Sequence, residues 1–383
     1  MTNEIYFDNA STTKVDNKVI KEMLPYFTEN FGNASSQHEV GIRAKKVLEE
    51  SRKVVANSIK ANPNEIIFTS GGTESNNLAL KGLFFANYPK KNHIVTTKIE
   101  HDSIIQTCRW LESQGAKITY LNVNREGFVN LDELKKEINN KTFLASIIHG
   151  NNEIGTIQNI EAIGKICREK GVLFHIDACQ SFTKTPIDVK KQNIDLITLN
   201  SHKIYGPKGV GALYIREGIK ITPLFHGGGH EKKLRSGTEN VAGIVGFAKA
   251  IEISNYKDVK KMTILRDKLI EGLLKIENVS LNGPRDDKRL CNNINVSFNN
   301  IEGEAIGGYL ESERIYTSTG SACMSHSLET SHVLKALGLA PLQSNSSLRI
   351  SISKYTTEEE VDYFLSKIKG IVDKLRRFSP LTR

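Results

Sequence analysis

Lys203 sits in Thr198-Leu-Asn-Ser-His-Lys-Ile-Tyr-Gly-Pro-Lys-Gly-Val-Gly211, a polar turn between two apolar runs, Ile194–Leu199 and Val210–Ile215. Each run reads as a buried strand. Open α/β sheets bind ligands at the carboxyl ends of their strands. A lysine there can form a Schiff base with an aldehyde, the anchoring chemistry of pyridoxal phosphate (PLP). Taken alone, Lys203 fits a surface lysine in a glycine-rich loop equally well. Other strand ends carry groups that such a cofactor would use. In Phe174-His-Ile-Asp-Ala-Cys-Gln180, Asp177 ends a strand, where an acid can keep a pyridine nitrogen protonated and make the ring an electron sink. Gln180 can hydrogen-bond the phenolic oxygen. Glu100-His-Asp102 puts His101 at a third strand end, where an imidazole can stack on a flat ring and shuttle protons near neutral pH. Asn151-Asn-Glu-Ile-Gly155 puts Asn152 at a fourth. Ser70-Gly-Gly-Thr-Glu-Ser-Asn76 joins a strand to a helix start, where free N–H groups and the Thr73 hydroxyl can meet a phosphate. A capped turn or a helix-capping aspartate explains any one of these. Coincidence explains the set poorly.

The elements that must position these groups alternate. Strands are predicted at Ile66–Thr69, His93–Thr97, Lys117–Leu121, Phe143–Ile148 and Val172–Ile176, with helices over Thr73–Tyr88, Asp102–Gln114 and Ile160–Lys170 between them. Such alternation argues for a mostly parallel sheet. After Glu239 the pattern becomes two long helices, a strand at Asn293–Phe298, a helix near Glu302–Leu310, a Ser/Thr/Gly loop, and a helix from Leu328 to Leu337. A strand at Leu348–Ile352 and a terminal helix from Thr357 follow, a smaller α+β unit.

The chain has 383 residues, 39% apolar and 25% charged, which suits a globular protein of two domains. No run of eighteen apolar residues predicts a membrane span. The start, Met1-Thr-Asn-Glu-Ile-Tyr-Phe, lacks a signal-peptide pattern, and a cytoplasmic setting is expected. The net charge of +9 comes from lysines spread over helix faces, with no dense basic block, so direct nucleic-acid binding is not expected. The five cysteines show neither C-x-x-C nor metal-ligand spacing, so neither a metal nor a disulfide framework is expected. Cys108, Cys167 and Cys291 lie in apolar-periodic segments and read as buried thiols.

The set of motifs resembles the cysteine desulfurases of the NifS/IscS type, within the class-V aminotransferase family of fold type I PLP enzymes. The likeness runs nearly end to end. It begins at Tyr6-Phe-Asp-Asn-Ala-Ser-Thr-Thr13 and Gly32-Asn-Ala-Ser-Ser-Gln-His38. It passes through Phe68 to Asn76, Asn151 to Gly155, His202 to Gly211 and His226-Gly-Gly-Gly-His-Glu231. Arg235-Ser-Gly-Thr238 and Ser318-Thr-Gly-Ser-Ala-Cys323 complete it. The resemblance implies a homodimer that converts L-cysteine to L-alanine with PLP. It implies a large PLP-binding domain over 15–255 and a small domain from 1–14 and 256–383. Lys203 looks like the lysine that holds the cofactor covalently, and His101 like the ring-stacking acid/base. Asp177 would pair with the pyridine nitrogen, and Gln180 and Asn152 with the phenolic side. Gly72, Thr73, Asn200 and His202 would hold the phosphate, joined by Thr238 of a second subunit. Arg349 looks like the clamp on the substrate carboxylate, with Asn33 assisting. Cys323, in a loop of small polar residues like that of the longer-loop group, would take the sulfur as a persulfide. Sulfur-acceptor proteins for iron–sulfur assembly or tRNA thiolation are the implied partners.

The chain departs from the family in places. Asn200-Ser201 replaces the usual Ser-Gly before His-Lys, with Ser201 a possible source of the displaced hydroxyl; Cys179 replaces a threonine; Ala34 replaces a proline. The chain stops at Arg383, where relatives that feed an iron–sulfur scaffold continue, so service to a tRNA-thiolating enzyme is expected. Selenocysteine lyase and plain class-V aminotransferase are the rival readings on the same framework.

Overall fold

The computed structural model describes residues 4–319 and 330–378. After β1 (Ile5–Tyr6), the first helices are α1 (Asn17–Met23), α2 (Pro25–Thr28) and α3 (Glu39–Ser58). Strands and helices then alternate as β2 (Ile66–Thr69), α4 (Gly72–Asn87), β3 (His93–Thr97), α5 (Asp102–Ser113), β4 (Lys117–Leu121), α6 (Leu131–Glu137), β5 (Thr142–Ile148), α7 (Ile160–Glu169) and β6 (Leu173–Asp177). β7 (Leu196–Asn200) and β8 (Gly211–Ile215) close the series. The strands form one seven-stranded sheet in the order β2-β8-β7-β6-β5-β3-β4. β7, β6, β5, β3 and β4 pair in parallel. β8 is antiparallel to both β7 and β2, which returns β2 to the direction of the other five. The carboxyl ends of β2, β3, β5, β6 and β7 therefore open on one edge.

Burial explains the strand sequences. β5 and β7 are buried at every residue, and a parallel strand covered on both faces has no need of polar alternation. Side chains still divide by the pleat: Ile66 and Phe68 join one core, and Ile67 the core on the opposite face. α7 shows the matching helical logic. Ile160, Ile163, Ile166 and Cys167 form its buried stripe, and Asn159 caps its start by accepting from the Ala162 N–H.

The rest of the chain comprises α8 (Val241–Glu252), α9 (Tyr256–Leu274), β9 (Val279–Leu281), β10 (Asn293–Phe298), α10 (Gly303–Ser312), β11 (Ile315–Tyr316), α11 (His332–Ala336), α12 (Pro341–Asn345), β12 (Ser347–Ser351) and α13 (Glu358–Phe378). β12, β10 and β9 make a three-stranded antiparallel sheet, and β1 pairs in parallel with β11. A separate apolar core collects Phe7, Leu269, Val296, Phe298, Ile350 and Phe364. The mostly parallel sheet with its helices and the smaller α+β unit are the α/β architecture that the strand–helix alternation predicts. The clearest differences from expectation are at α3 and α11. α3, a helix of 20 residues, was not legible in the sequence. α11 begins at His332, and the expected start at Leu328 lies outside the described residues.

Candidate active site

Five strand ends converge on one pocket of about 280 Å³, the scale of a small-molecule site. β2 leads to Gly72 and Thr73, β3 to Glu100 and His101, β5 to Asn152 and Glu153, β6 to Asp177, Cys179 and Gln180, and β7 to Asn200, His202 and Lys203. The smaller unit adds Arg349 from β12. The chain before α11 adds Ser331 and His332, and the N-terminal segment adds Ala10 and Ser11.

Asp177 is 4% exposed, at the last residue of β6. Its Oδ2 accepts from Asn76 Nδ2 at 2.8 Å and its Oδ1 from the Cys179 N–H at 2.9 Å. Burial pushes its pKa up, but His101 and these two donors outweigh that and hold the carboxyl below its ordinary value. Asp177 is thus a fixed anion at neutral pH. His101 caps α5, its Nδ1 accepting from the Ser103 N–H at 3.1 Å and lying 2.8 Å from Ser103 Oγ. With Nδ1 accepting, the neutral ring carries its proton on Nε2. Burial first, then the Lys203 charge, lowers the His101 pKa. Asn76 Nδ2 also donates to Ser103 Oγ at 2.8 Å, so one amide joins the histidine's partner to the aspartate. Asn76 had no role in the sequence reading. It lies one helical turn past Gly72, on the same face, and that spacing was the available signal.

The Nζ of Lys203 has no hydrogen bond or ion pair among the described residues. Its turn is held from behind: Thr13 donates from its N–H at 3.0 Å and its hydroxyl at 2.8 Å to the His202 carbonyl. Burial, with Lys203, Lys208 and Lys184 nearby, pushes His202 down to about 4, so its ring is neutral. A Cβ on Gly72 would stand 2.6 Å from Cys179 Sγ, so only glycine lets α4 begin this close to β6. Cys179 is buried, and its pKa is driven well up by burial and by Asp177, which keeps it a packed thiol. Asn200 Oδ1 is buried without a partner. The Ser201 hydroxyl does not supply the displaced group: a Cβ on Gly206 would stand 2.0 Å from its Oγ, and Ser201 lines no part of the pocket. Successive side chains of an extended strand end point to opposite sides.

Arg349 is 3% exposed and donates from Nη2 to Asp8 Oδ1 and Ser11 Oγ, both at 2.9 Å, while its Nε has no partner. The backbone of Arg349 pairs with Ser318, just before residues 320–329. Just after them, Ser331 Oγ donates to Glu153 Oε2 at 2.6 Å and His332 Nε2 meets the Glu100 carbonyl at 2.8 Å. Glu100 and Glu153 were also missed; both are buried, and burial raises both pKa values, Glu100 to about 8. In a single chain Asn33 and Thr238 lie outside this pocket. Asn33 is exposed and caps its own turn at Ser35, and Thr238 borders a separate cavity with Ser70 and Arg235. Cys323 lies outside the described residues. Cys108, Cys167 and Cys291 are buried free thiols, as expected. No described helix is long and apolar enough to cross a membrane.

The class-V aminotransferase family model matches residues 5–364, and the chain belongs to that family. Family membership implies PLP chemistry. Within it the chain is similar to a protein named cysteine desulfurase IscS from Methanosarcina thermophila, 52% identical over 99% of this chain and 94% of that one. A solved NifS-like protein superposes with a TM-score of 0.91 at 41% identity, covering 97% of this chain and all (100%) of the other. A structure of SspA in complex with cysteine superposes with a TM-score of 0.84 at 37% identity, over 93% and 100% of the two chains. The fold is that of the fold type I PLP enzymes, as the motifs implied.

Proposed function

We propose that this protein is a PLP-dependent cysteine desulfurase, converting L-cysteine to L-alanine and passing the sulfur through Cys323 to acceptor proteins. The observation that carries this is the pocket itself: an unpartnered lysine amine, a buried fixed aspartate and a histidine, each at the end of a different parallel strand. The relative names and the cysteine-bound neighbour agree with it.

The residues fit the cofactor. Lys203 Nζ is free to hold its aldehyde carbon. Asp177, anionic and buried, suits a protonated ring nitrogen. The α4 start at Gly72 and Thr73, the neutral His202 N–H and Asn200 suit the phosphate. Gln180 and Asn152 suit the phenolic side, and Gln180 is steadied by donating from Nε2 to the Ala10 carbonyl at 2.9 Å. When bound, PLP supplies an electron sink for bonds at the substrate α- and β-carbons. His101 and Lys203 hold and move protons at the substrate's nitrogen and carbons. Arg349 orients the carboxylate through its guanidinium, whose Nε is unclaimed.

Sulfur transfer is a displacement at sulfur. The Cys323 thiolate attacks the substrate Sγ, the S–S bond forms as the Cβ–Sγ bond breaks, and the electron pair stays on carbon, which takes a proton on the way to alanine. Both flanks of Cys323, at Ser318 and Ser331, are tied to the pocket wall, which supports this role. The division into 15–255 and 1–14 with 256–383 belongs to the same reading, supported by separate apolar cores. So does the homodimer, in which the partner subunit would bring its own threonine equivalent to Thr238.

The test is sulfide and alanine release from L-cysteine with a thiol reductant, comparing wild type with Cys323→Ala in PLP-loaded protein. Loss of both products with the cofactor absorbance retained is expected. Undiminished turnover would overturn the persulfide role and point to a lyase or aminotransferase.

A further inference from the structure

Lys184 is a second lysine beside this site, and none of the roles above uses it. It lies in the turn after β6, seven residues beyond Asp177, and lines no part of the pocket. Its Nζ donates to the Gln180 carbonyl at 2.9 Å and to the Lys203 carbonyl at 3.2 Å. No carboxylate is among the groups that act on its charge; Cys291, Lys203 and Cys179 are. Burial, with the Lys203 charge beside it, pushes this amine down to about 8. Lys184 is half-buried and has no carboxylate partner among the described residues, so its ammonium gains no ion pair for the water it gives up.

Its two acceptors lie in two different turns. Gln180 follows Asp177 at the end of β6, and Lys203 follows Asn200 at the end of β7. In the second turn the neighbouring carbonyls already have partners. The Ser201 carbonyl takes the Ile204 and Gly206 N–H groups, and the His202 carbonyl takes Thr13. The carbonyl of Lys203 takes Lys184.

We propose that Lys184 is a positioning residue: it straps the turn after β6 to the turn after β7 and so sets Gln180 against the Lys203 amine. The inference rests on reading the pocket as a PLP site, where the turn after β6 would meet the phenolic side of the ring through Gln180 and the turn after β7 its aldehyde carbon through Lys203. A strap between them fixes a spacing that neither strand pairing nor the turns' own hydrogen bonds determine, because both turns lie beyond the last paired residues, Asp177 and Thr198. An ammonium suits the task because it carries three donors on a flexible stem.

The experiment is PLP titration of the cofactor-free, full-length Lys184→Met protein. It is read by equilibrium affinity and by visible circular dichroism of the bound cofactor, with thermal unfolding of the cofactor-free protein as the fold control. We expect unfolding close to wild type, PLP affinity weaker by about tenfold, and an altered dichroic band reporting a displaced ring. Lys184→Arg, which keeps donors for both carbonyls, is expected to restore affinity and band. Wild-type affinity and dichroism in a folded Lys184→Met protein would overturn the strap. If Lys184→Met does not fold, Lys184→Gln, too short to span both carbonyls, is read by the same criteria. A wild-type protein that shows no PLP band at all would overturn the cofactor reading beneath the proposal, an outcome distinct from a silent variant.

Discussion

Two carboxyls at strand ends of the same sheet, one beyond β3 and one on β6, show how local donors decide charge. Asp177 receives an N–H on each oxygen and stays ionised. Glu100 receives the Thr97 hydroxyl at 2.6 Å and the Ile148 N–H at 2.9 Å on Oε1 alone, leaving Oε2 buried without a partner. Burial therefore wins, and Glu100 is pushed from 4.5 to about 8. The folded protein then keeps a proton that the unfolded chain releases above pH 4.5, so stability falls as pH rises from there to about 8. Glu100→Gln removes that titration. The variant should gain on the wild type across this window, by on the order of a few kcal/mol at its upper end. Urea unfolding at a series of pH values measures the difference, and a constant offset between the two proteins would mean that Glu100 does not titrate there.

At the scale of elements, the site depends on how closely the start of α4 approaches the end of β6. Gly72 and Cys179 meet there, with no room for a methyl group. Gly72→Ala should destabilise the protein by roughly 1–3 kcal/mol, the usual cost of overpacking, and weaken PLP binding by displacing the N–H groups proposed for the phosphate. Adding Cys179→Ala should return part of both losses. A double-mutant cycle on unfolding free energy reads the coupling; simple additivity would show that the contact relaxes at no cost. The family's threonine is replaced here by a thiol whose reactivity the packing suppresses.

Across the whole molecule, one buried ion pair joins distant parts of the chain. Arg52 of α3 forks onto Glu231 with both contacts at 2.7 Å, and Glu231 Oε2 also takes the Phe68 N–H of β2 at 2.7 Å. Glu231 adopts φ 41°, a left-handed conformation unusual for a non-glycine residue, so these contacts hold a strained segment in place. That segment leads within seven residues to Thr238, the group proposed for the partner's site. Glu231→Ala leaves the buried Arg52 guanidinium with only Glu49 and the Ile66 carbonyl as partners and should cost about 3 kcal/mol, read by denaturant unfolding. Arg52→Met in the same chain should recover much of it. If the single variant unfolds like wild type, the pair is not what seats this segment.

The sequence by itself determined the chemical groups and the strand ends that carry them. Lys203, Asp177, His101 and Gly72 each stand where an apolar run gives way to a polar turn, and that change is written in a few consecutive residues. α3 was illegible for the converse reason. Its buried face holds Gly41, Ala44, Ser51 and Arg52 beside Leu48 and Val55, so polar and small residues break the apolar period. Arg52 is buried only because Glu231, 179 residues away, receives it. Tertiary structure alone decided which turns meet. The strand order brings Asn76 and Ser103 together to link His101 with Asp177, directs the Ser201 hydroxyl away from the pocket, ties Arg349 to Asp8, and leaves Asn33 and Thr238 outside one chain's pocket. Those relations depend on pairings between segments far apart in the chain. No local pattern encodes them, because a side chain's partner is set by where the fold puts the other strand.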